Sequence, residues 1–493
     1  MKKDLKLIMD FQKEITVIGE VCSLLGWDQL TYMPKKGLGS RVEQLLYLSE
    51  LIHKKVTDEK LYRTLKRLSK KKLAKKQGLI VEKILKDIED SRKFPEEFVK
   101  RSSKATSLSY VAWEEAREKK SFKVFEPHLE KVVKIAREGI GYLKKPGHPY
   151  NSLLDSYEEG MTVEKLKPLF EELKIGLKDL IGKIKDTEIY KKQKRLNMKI
   201  SEKEQRKLCE DVMKRIGLTE DRSRLDLSVH PFTQDVGFHD IRLTTNFRKN
   251  PLFSFEATVH ESGHALYELQ LPEKDAYNVL GSSVSLGIHE SQSRFWENMI
   301  GKSKPFWDFY HREFKKKINV SKNTLYKDIN SVKPSLIRVE SDEVTYCMHI
   351  ILRFEIELGL IEGTIKVKDL PKIWNKKMKE YLGVVPKNDV DGVLQDMHWA
   401  QGAIGYFPTY AIGTIYAAQL YEQLIKEKKN VMKKVSKGNF SDISKWLGLK
   451  IHKRGNYFLA DELIKKVCRK GLNVETYISY LNGKYSKIYR FKK

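Results

Sequence analysis

The spacing of apolar residues constrains this chain most. From residue 41 to 140, Leu, Val and Ile recur at threes and fours among Lys and Glu, and glycine and proline are sparse. That period puts apolar side chains on one face of a helix and predicts long helices packed face to face. The same pattern returns over 160–217 and from 254 to the C-terminus. Two stretches interrupt it. "KKPGHPYNS" (144–152) is a break and a candidate hinge between two lobes. "LDLSVHPFTQDVGFHDIRLTTNF" (225–247) is rich in turn residues, and its end alternates like a strand, which predicts a small sheet. There is no repeat and no low-complexity linker. The expectation is one large, mainly α domain over 1–493, in two lobes, with a small β-sheet.

Several classes are set aside. The segment 399–421, "WAQGAIGYFPTYAIGTIYAAQLY", has no charge and is long enough to span a bilayer. It also holds Pro408, two glutamines and four tyrosines, and the mean hydropathy of the chain is −0.51. It reads as a buried helix of a soluble protein. The N-terminus interrupts its apolar residues with Asp4, Lys6 and Asp10, so no signal peptide is expected. Cys22, Cys209, Cys347 and Cys468 are far apart, which argues against a disulfide framework or a cysteine metal site and fits a reducing cytoplasm. A net charge of +28 raises the question of nucleic acid. Lysine runs such as "SKKKLAKK" (69–76) sit in polar helical sequence without a nucleic-acid-binding motif. They read as solvated surface, with no specific nucleic-acid partner and no membrane.

Five of the twelve histidines fall between 230 and 289. Two of them lie in "FEATVHESGHALYE" (255–268). His260 and His264 are one helical turn apart and so share a face, with Glu261 on a neighbouring flank. The pattern H-E-x-x-H is a zinc-peptidase signature when it sits on a helix. Phe255, Val259, Leu266 and Leu269 supply that helical spacing, and Pro272 closes it. Catalytic zinc takes three protein ligands and keeps a position for water. Tyr267 and Gln270 stand where a metzincin would need Gly and His. Glu268 lies about 12 Å along the axis from His260, too far to share the metal. The third ligand must come from a second helix. "LGIHESQSRFWENM" (286–299) offers Glu290 and Glu297, seven apart on one face, and spacing leaves both open. Such a metal lowers the pKa of bound water towards 7. Glu261 is placed to take the proton and return it to the leaving amine. His398, Tyr406 and Tyr410, in the uncharged segment, are candidate donors to the oxyanion.

These blocks together resemble the thermostable (Taq-type) metallocarboxypeptidases. The resemblance rests on "HPF" (230–232), "DIRLT" (240–244), "HESGH" (260–264), "HESQ" (289–292), "IRVESD" (337–342) and "GVLQDMHW" (392–399), with "WDQLTYMP" (27–34) near the N-terminus. It implies a helical fold with a deep substrate groove. It implies removal of C-terminal residues one at a time, with broad specificity but not proline. One zinc or cobalt ion per chain and a homodimer follow from it, as do Glu290 as third ligand and Glu261 as base. His230 and Arg242, within these blocks, become candidates for substrate or transition-state binding. In "IRVESDEVTYCMH", Arg338, Asp342, Thr345 and His349 are spaced for one helical face. On that reading Arg338 binds the terminal carboxylate of a peptide and Asp342 orients it. The bland alternative is a surface ion pair. Two other functions compete: a zinc oligopeptidase or dipeptidase on the same helix, and a basic nucleic-acid-binding protein with an inactive metal site.

Overall fold

The computed structural model describes residues 1–492. The helices expected in the first third are present: α1 (Lys2–Thr31), α2 (Leu38–Val56), α3 (Glu59–Ser69), α4 (Lys75–Arg92), α5 (Glu96–Glu118) and α6 (Phe122–Leu143). Their boundaries follow local chemistry. Asp58 caps α3 by accepting from the Leu61 amide, and α3 then buries Leu61, Leu65 and Leu68 at helical spacing. Pro95 precedes α5, and Lys144 ends α6 in the left-handed region at φ 50°.

The break at 144–152 is a loop up to Tyr150 followed by the start of a short helix, Asn151–Leu154, and it is anchored in both parts. Tyr150 is fully buried, and its hydroxyl donates to Glu357 at 2.5 Å. Asn151 donates to the Pro146 carbonyl and to Glu164, and accepts from the Val163 amide at 2.7 Å. The helices on either side, α6 and Val163–Lys185, bury Leu129, Val132, Leu166 and Leu173 in the same apolar cluster. The division of the core falls elsewhere. Ile8, Leu61, Leu65, Ile80 and Ile84, from α1, α3 and α4, form a second cluster closed by Leu280. The main cluster runs from Ala116 to Tyr489.

The turn-rich region forms the expected sheet. Its strands are β1 (Ser223–Leu227), β2 (Thr233–Gly237) and β3 (Asp240–Thr245), in the order β1-β3-β2. β3 pairs parallel with β1 and antiparallel with β2. The N-terminal block ties α1 to this sheet. Trp27 stacks under the Arg242 guanidinium, 4.3 Å from ring centroid to Cζ, and the Tyr32 hydroxyl donates to Asp226 at 2.5 Å.

The C-terminal half is less continuously helical than its periodicity suggests. Residues 330–345 and 383–407 contain only turns and one short 3₁₀ segment. The uncharged segment starts irregular, and becomes helical only at Pro408, in the helix Pro408–Glu427, which buries Ala411, Ile415, Ala418 and Leu420. Proline suits a first helical position, where its missing amide hydrogen is not needed. Among the described residues no helix is long and apolar enough to cross a membrane.

Candidate metal centre

The H-E-x-x-H segment lies in the helix Pro251–Leu269, the motif helix, whose start is capped by the Asn250 side chain. Against it packs the helix Leu286–Arg294, the glutamate helix, capped by Ser285 accepting from the Ile288 amide. It runs on into a wider π-helical turn, Phe295–Gly301. Such wide turns are frequent at functional sites. The two helices touch because residue 263 has no side chain. A Cβ at Gly263 would sit 2.5 Å from the Gln292 carbonyl oxygen and 2.6 Å from Ser293 Cα.

That contact brings three candidate ligands together. The Nε2 atoms of His260 and His264 lie 3.8 and 3.4 Å from Glu290 Oε2. The ligand atoms of these residues all fall within 4.8 Å of one another. Bonds of ~2.1 Å around a tetrahedral zinc put its ligand atoms roughly 3.4 Å apart, so the donor set fits a single divalent ion. The outer partners fit as well. His260 Nδ1 faces Glu297 Oε2 at 2.7 Å, the carboxylate–histidine arrangement that orients a metal ligand. Burial holds the His264 imidazole neutral, with its pKa lowered to about 3, and neutral imidazole is the ligating form. Glu290 is buried, yet its carboxyl lies well below the usual range, because Arg294 and the two histidines outweigh desolvation. Arg294 Nε donates to Glu290 Oε1 at 2.6 Å, leaving Oε2 towards the histidines.

Glu261 is buried beside this trio. Its Oε2 accepts from Thr233 Oγ1 of β2 at 2.7 Å. Burial pushes its carboxyl above the ordinary range, against the pull of His260. Glu268 stands apart, facing His289 Nε2 at 2.7 Å, while the His289 ring stacks on His264.

The third helix at the site is Pro408–Glu427, the tyrosine helix. It also approaches through a glycine: a Cβ at Gly413 would lie 2.7 Å from Glu290 Cβ. Tyr410 from this helix, with Tyr406 and His398 from the preceding turns, forms one aromatic group. His398 Nε2 and the Tyr410 hydroxyl are 3.2 Å apart, and the Tyr406 ring is 5.3 Å from that of Tyr410.

Arg338 joins this group from the irregular stretch 330–345. Its guanidinium lies 4.9 Å from the Tyr410 ring centroid and donates to the Tyr346 hydroxyl at 3.2 Å. Tyr346 in turn lies under Arg294, the partner of Glu290. Arg338 is 6% exposed. Its carboxylate partner is not Asp342. Nε and one terminal nitrogen of Arg338 both donate to Asp396 Oδ1, at 3.0 and 2.8 Å. Arg353 binds the other oxygen of Asp396, with Nε at 2.7 Å. Residues 341–345 are not helical, so the i,i+4 geometry expected for Arg338 and Asp342 does not exist. Asp342 instead accepts from the backbone amides of Lys333, Val344 and Thr345, and so shapes the start of helix Tyr346–Glu362.

Two further candidates lie outside the group. In the antiparallel pair Thr233 faces Leu243 and Gln234 faces Arg242. Side chains alternate across a strand, so Arg242 is on the sheet face opposite Thr233 and Glu261. There it forks onto Asp240 and stacks on Trp27. His230 is exposed on the connection between β1 and β2. Partial burial, then Arg117 and Arg248, lower its pKa. Among the described residues no hydrogen bond or ion pair joins the side chain of His230 or Arg242 to His260, His264 or Glu290.

The sequence matches the family described as Carboxypeptidase Taq (M32) metallopeptidase over residues 7–485. The chain belongs to this family. It is a metallocarboxypeptidase, a peptide hydrolase whose family implies a divalent metal and peptide substrates. This M32 carboxypeptidase is 39% identical to thermostable carboxypeptidase 1 of Pyrococcus furiosus, over 98% of each chain. It is 36% identical to carboxypeptidase 1 of Bacillus subtilis, also over 98% of each. Among solved structures, the Pyrococcus furiosus carboxypeptidase superposes with a TM-score of 0.95 over 98% of this chain and 99% of that one, at 38% identity. Metallocarboxypeptidase 1 of Trypanosoma cruzi gives 0.95 over the whole of both chains at 31% identity.

Sequence reasoning missed several residues of the M32 site. Gly263 and Gly413 carried a signal, because a mid-helix glycine costs about 1 kcal/mol relative to alanine and implies a close approach. Glu297 was seen, but as a rival ligand rather than the partner of one. Thr233, Asp396 and Arg353 carried no local signal at all.

Proposed function

We propose that this enzyme removes C-terminal amino acids one at a time from peptides, with broad specificity excluding proline, using one zinc or cobalt ion held by His260, His264 and Glu290. When bound, such an ion supplies Lewis acidity to the scissile carbonyl and acidifies water. The Glu261 carboxylate takes the proton of the attacking water and delivers it to the leaving amine. The Thr233 hydroxyl fixes one oxygen of Glu261, so the other is free for transfer. Tyr410, Tyr406 and His398 offer hydroxyl and imidazole donors to the oxyanion. A role for His230 and Arg242 in binding substrate or the transition state rests on the family resemblance alone.

Arg338 reads the free chain end. The observation that carries this is a charge imbalance: two buried guanidiniums, Arg338 and Arg353, share the single carboxylate of Asp396. Asp396 is the only carboxylate bonded to either guanidinium among the described residues, next to the aromatic wall of the metal centre, and a buried charge is costly unless paired. A peptide carboxylate supplies the missing anion, and the planar fork of Arg338 suits it. An oligopeptidase would not need that charge. The homodimer stands on the family resemblance. The cytoplasmic setting stands on four cysteines that are all free.

The test compares one peptide as free acid and as C-terminal amide. Wild type is expected to cleave the amide poorly. Arg338→Ala should lose roughly ten- to a hundredfold in kcat/KM on the acid, the worth of a charged hydrogen bond. Equal cleavage of acid and amide by wild type would exclude C-terminal reading. Undiminished discrimination in Arg338→Ala would move that role to another residue.

A further inference from the structure

Glu357 is a buried carboxylate that the chemistry above does not use. It lies on the helix Tyr346–Glu362, one turn after Arg353, and is fully buried. A carboxylate at such depth is costly unless donors satisfy it. Three donors do so. Oε1 accepts from the Trp399 indole nitrogen at 2.8 Å. Oε2 accepts from the Tyr150 hydroxyl at 2.5 Å and from the Gly405 amide at 3.1 Å. Burial pushes the carboxyl up to about 7, against these three donors and Arg353.

Two of the three donors belong to one stretch, and their places in it carry the inference. Trp399 directly follows His398, and Gly405 directly precedes Tyr406. Residues 398–407 are turns and irregular chain, so no helical ladder holds them. Within the stretch the Ala403 amide closes a turn onto the His398 carbonyl at 2.9 Å. A single carboxylate then pins the turn at both ends, each time at the residue next to a candidate oxyanion donor. Gly405 permits the close approach: its φ is 100°, and a Cβ there would lie 3.0 Å from the Leu153 carbonyl oxygen. The same helix also holds the residues just before the turn. Arg353 donates to Gln395 Oε1 at 2.9 Å and to Asp396 Oδ2 at 2.7 Å. The Phe407 ring completes the seat, 4.5 Å from the His398 ring and edge-on to Trp399 at 6.2 Å.

We propose that Glu357 is a positioning residue, which anchors both ends of the turn 398–405 so that His398 and Tyr406 stand in fixed places at the metal centre. The proposal rests on the oxyanion reading for the work of those two side chains, not for the anchoring. Donors to an oxyanion act because they are already in place when the charge develops. A displacement of about 1 Å can cost a hundredfold in rate. The oxyanion exists only after water has added, so such a loss falls on kcat rather than on KM.

Steady-state kinetics of the metal-loaded enzyme on one free-acid peptide, well below every melting temperature, separate anchoring from stability. Trp399→Phe removes the indole N–H and frees one end of the turn. Glu357→Gln leaves one acceptor oxygen, and its amide nitrogen then faces either Trp399 or Gly405, so one end is again freed. Tyr150→Phe removes the third bond to the same carboxylate and leaves both ends held. All three should lower the melting temperature, because each loses a buried hydrogen bond. At full metal content, Trp399→Phe and Glu357→Gln should lose roughly ten- to a hundredfold in kcat with KM within about twofold of wild type. Tyr150→Phe should keep the wild-type kcat. A wild-type kcat in Glu357→Gln or Trp399→Phe, or an equal loss of kcat in Tyr150→Phe, overturns the proposal. If His398→Ala and Tyr406→Phe turn over like wild type while Glu357→Gln and Trp399→Phe do not, the oxyanion assignment of those two side chains falls and the anchoring stands.

Discussion

Glu261, Glu290 and Glu297 carry the same side chain within one small volume, and their neighbours give them different work. Glu290 has one oxygen tied to Arg294 and the other turned to both histidines. Glu297 is spent on His260 Nδ1 and Arg294. Glu261 is held by a neutral hydroxyl, which constrains its position without fixing its charge. Three substitutions separate these roles. Glu261→Gln should keep full metal content and an unchanged melting temperature while kcat falls by roughly a hundred- to ten-thousandfold. Near-normal turnover at full metal content would remove Glu261 from the proton path. Glu290→Ala should lose the metal outright by elemental analysis. Glu297→Ala keeps all three ligands and should weaken metal affinity by about ten- to a hundredfold, the usual cost of losing an outer partner. The reverse order of these two effects would make Glu297 the ligand. The histidine pair was legible because one helical turn fixes its geometry. The choice between the two glutamates was not, because seven residues place both on one face and say nothing of what stands opposite.

At the scale of elements, the centre depends on three helices meeting at two glycines. Gly413→Ala would drive a methyl group to 2.7 Å from Glu290 Cβ and 2.9 Å from the Gly287 carbonyl oxygen. Both neighbours belong to the glutamate helix, and overpacking of this kind typically costs about 1–3 kcal/mol. The expected outcome is a lower melting temperature together with weaker metal binding, since the displaced residue is the proposed third ligand. Gly182, inside helix Val163–Lys185, meets nothing within 4 Å and serves as the contrast. Gly182→Ala should raise stability by up to about 1 kcal/mol and leave metal binding alone. If both substitutions behave alike in thermal melts, the glycine contact is not what positions Glu290.

At the scale of the molecule, the apolar core is in two parts of unequal size. The smaller belongs to α1, α3 and α4, and the larger holds the metal centre. Local stability follows buried apolar contact. Hydrogen exchange is therefore expected to be faster across residues 2–92 than across the motif, glutamate and tyrosine helices. Uniform protection would mean that the two clusters open as one unit. The segment "KKPGHPYNS" (144–152) is the candidate hinge of the sequence. Gly147, Pro146 and Pro149 do break the helix, but Tyr150 and Asn151 anchor the segment within the main core.

The helical class, the small sheet and the shared helix face of His260 and His264 were determined by the sequence itself, as was the burial of the uncharged segment 399–421, although its helix starts only at Pro408. Each is a periodic or short-range property, in which residues three to eight apart set one another's geometry. The pairing of Arg338 with Asp396, 58 residues away, was decided only by the tertiary structure. So were the sharing of Asp396 with Arg353, the hydroxyl of Thr233 on Glu261, and the placing of Arg242 on the far face of its sheet. Arg338 begins a single short 3₁₀ turn and Asp396 lies among turns, where no sustained period relates one residue to the next. Their encounter comes from the packing of the helices that carry those stretches, and packing is a property of the whole chain.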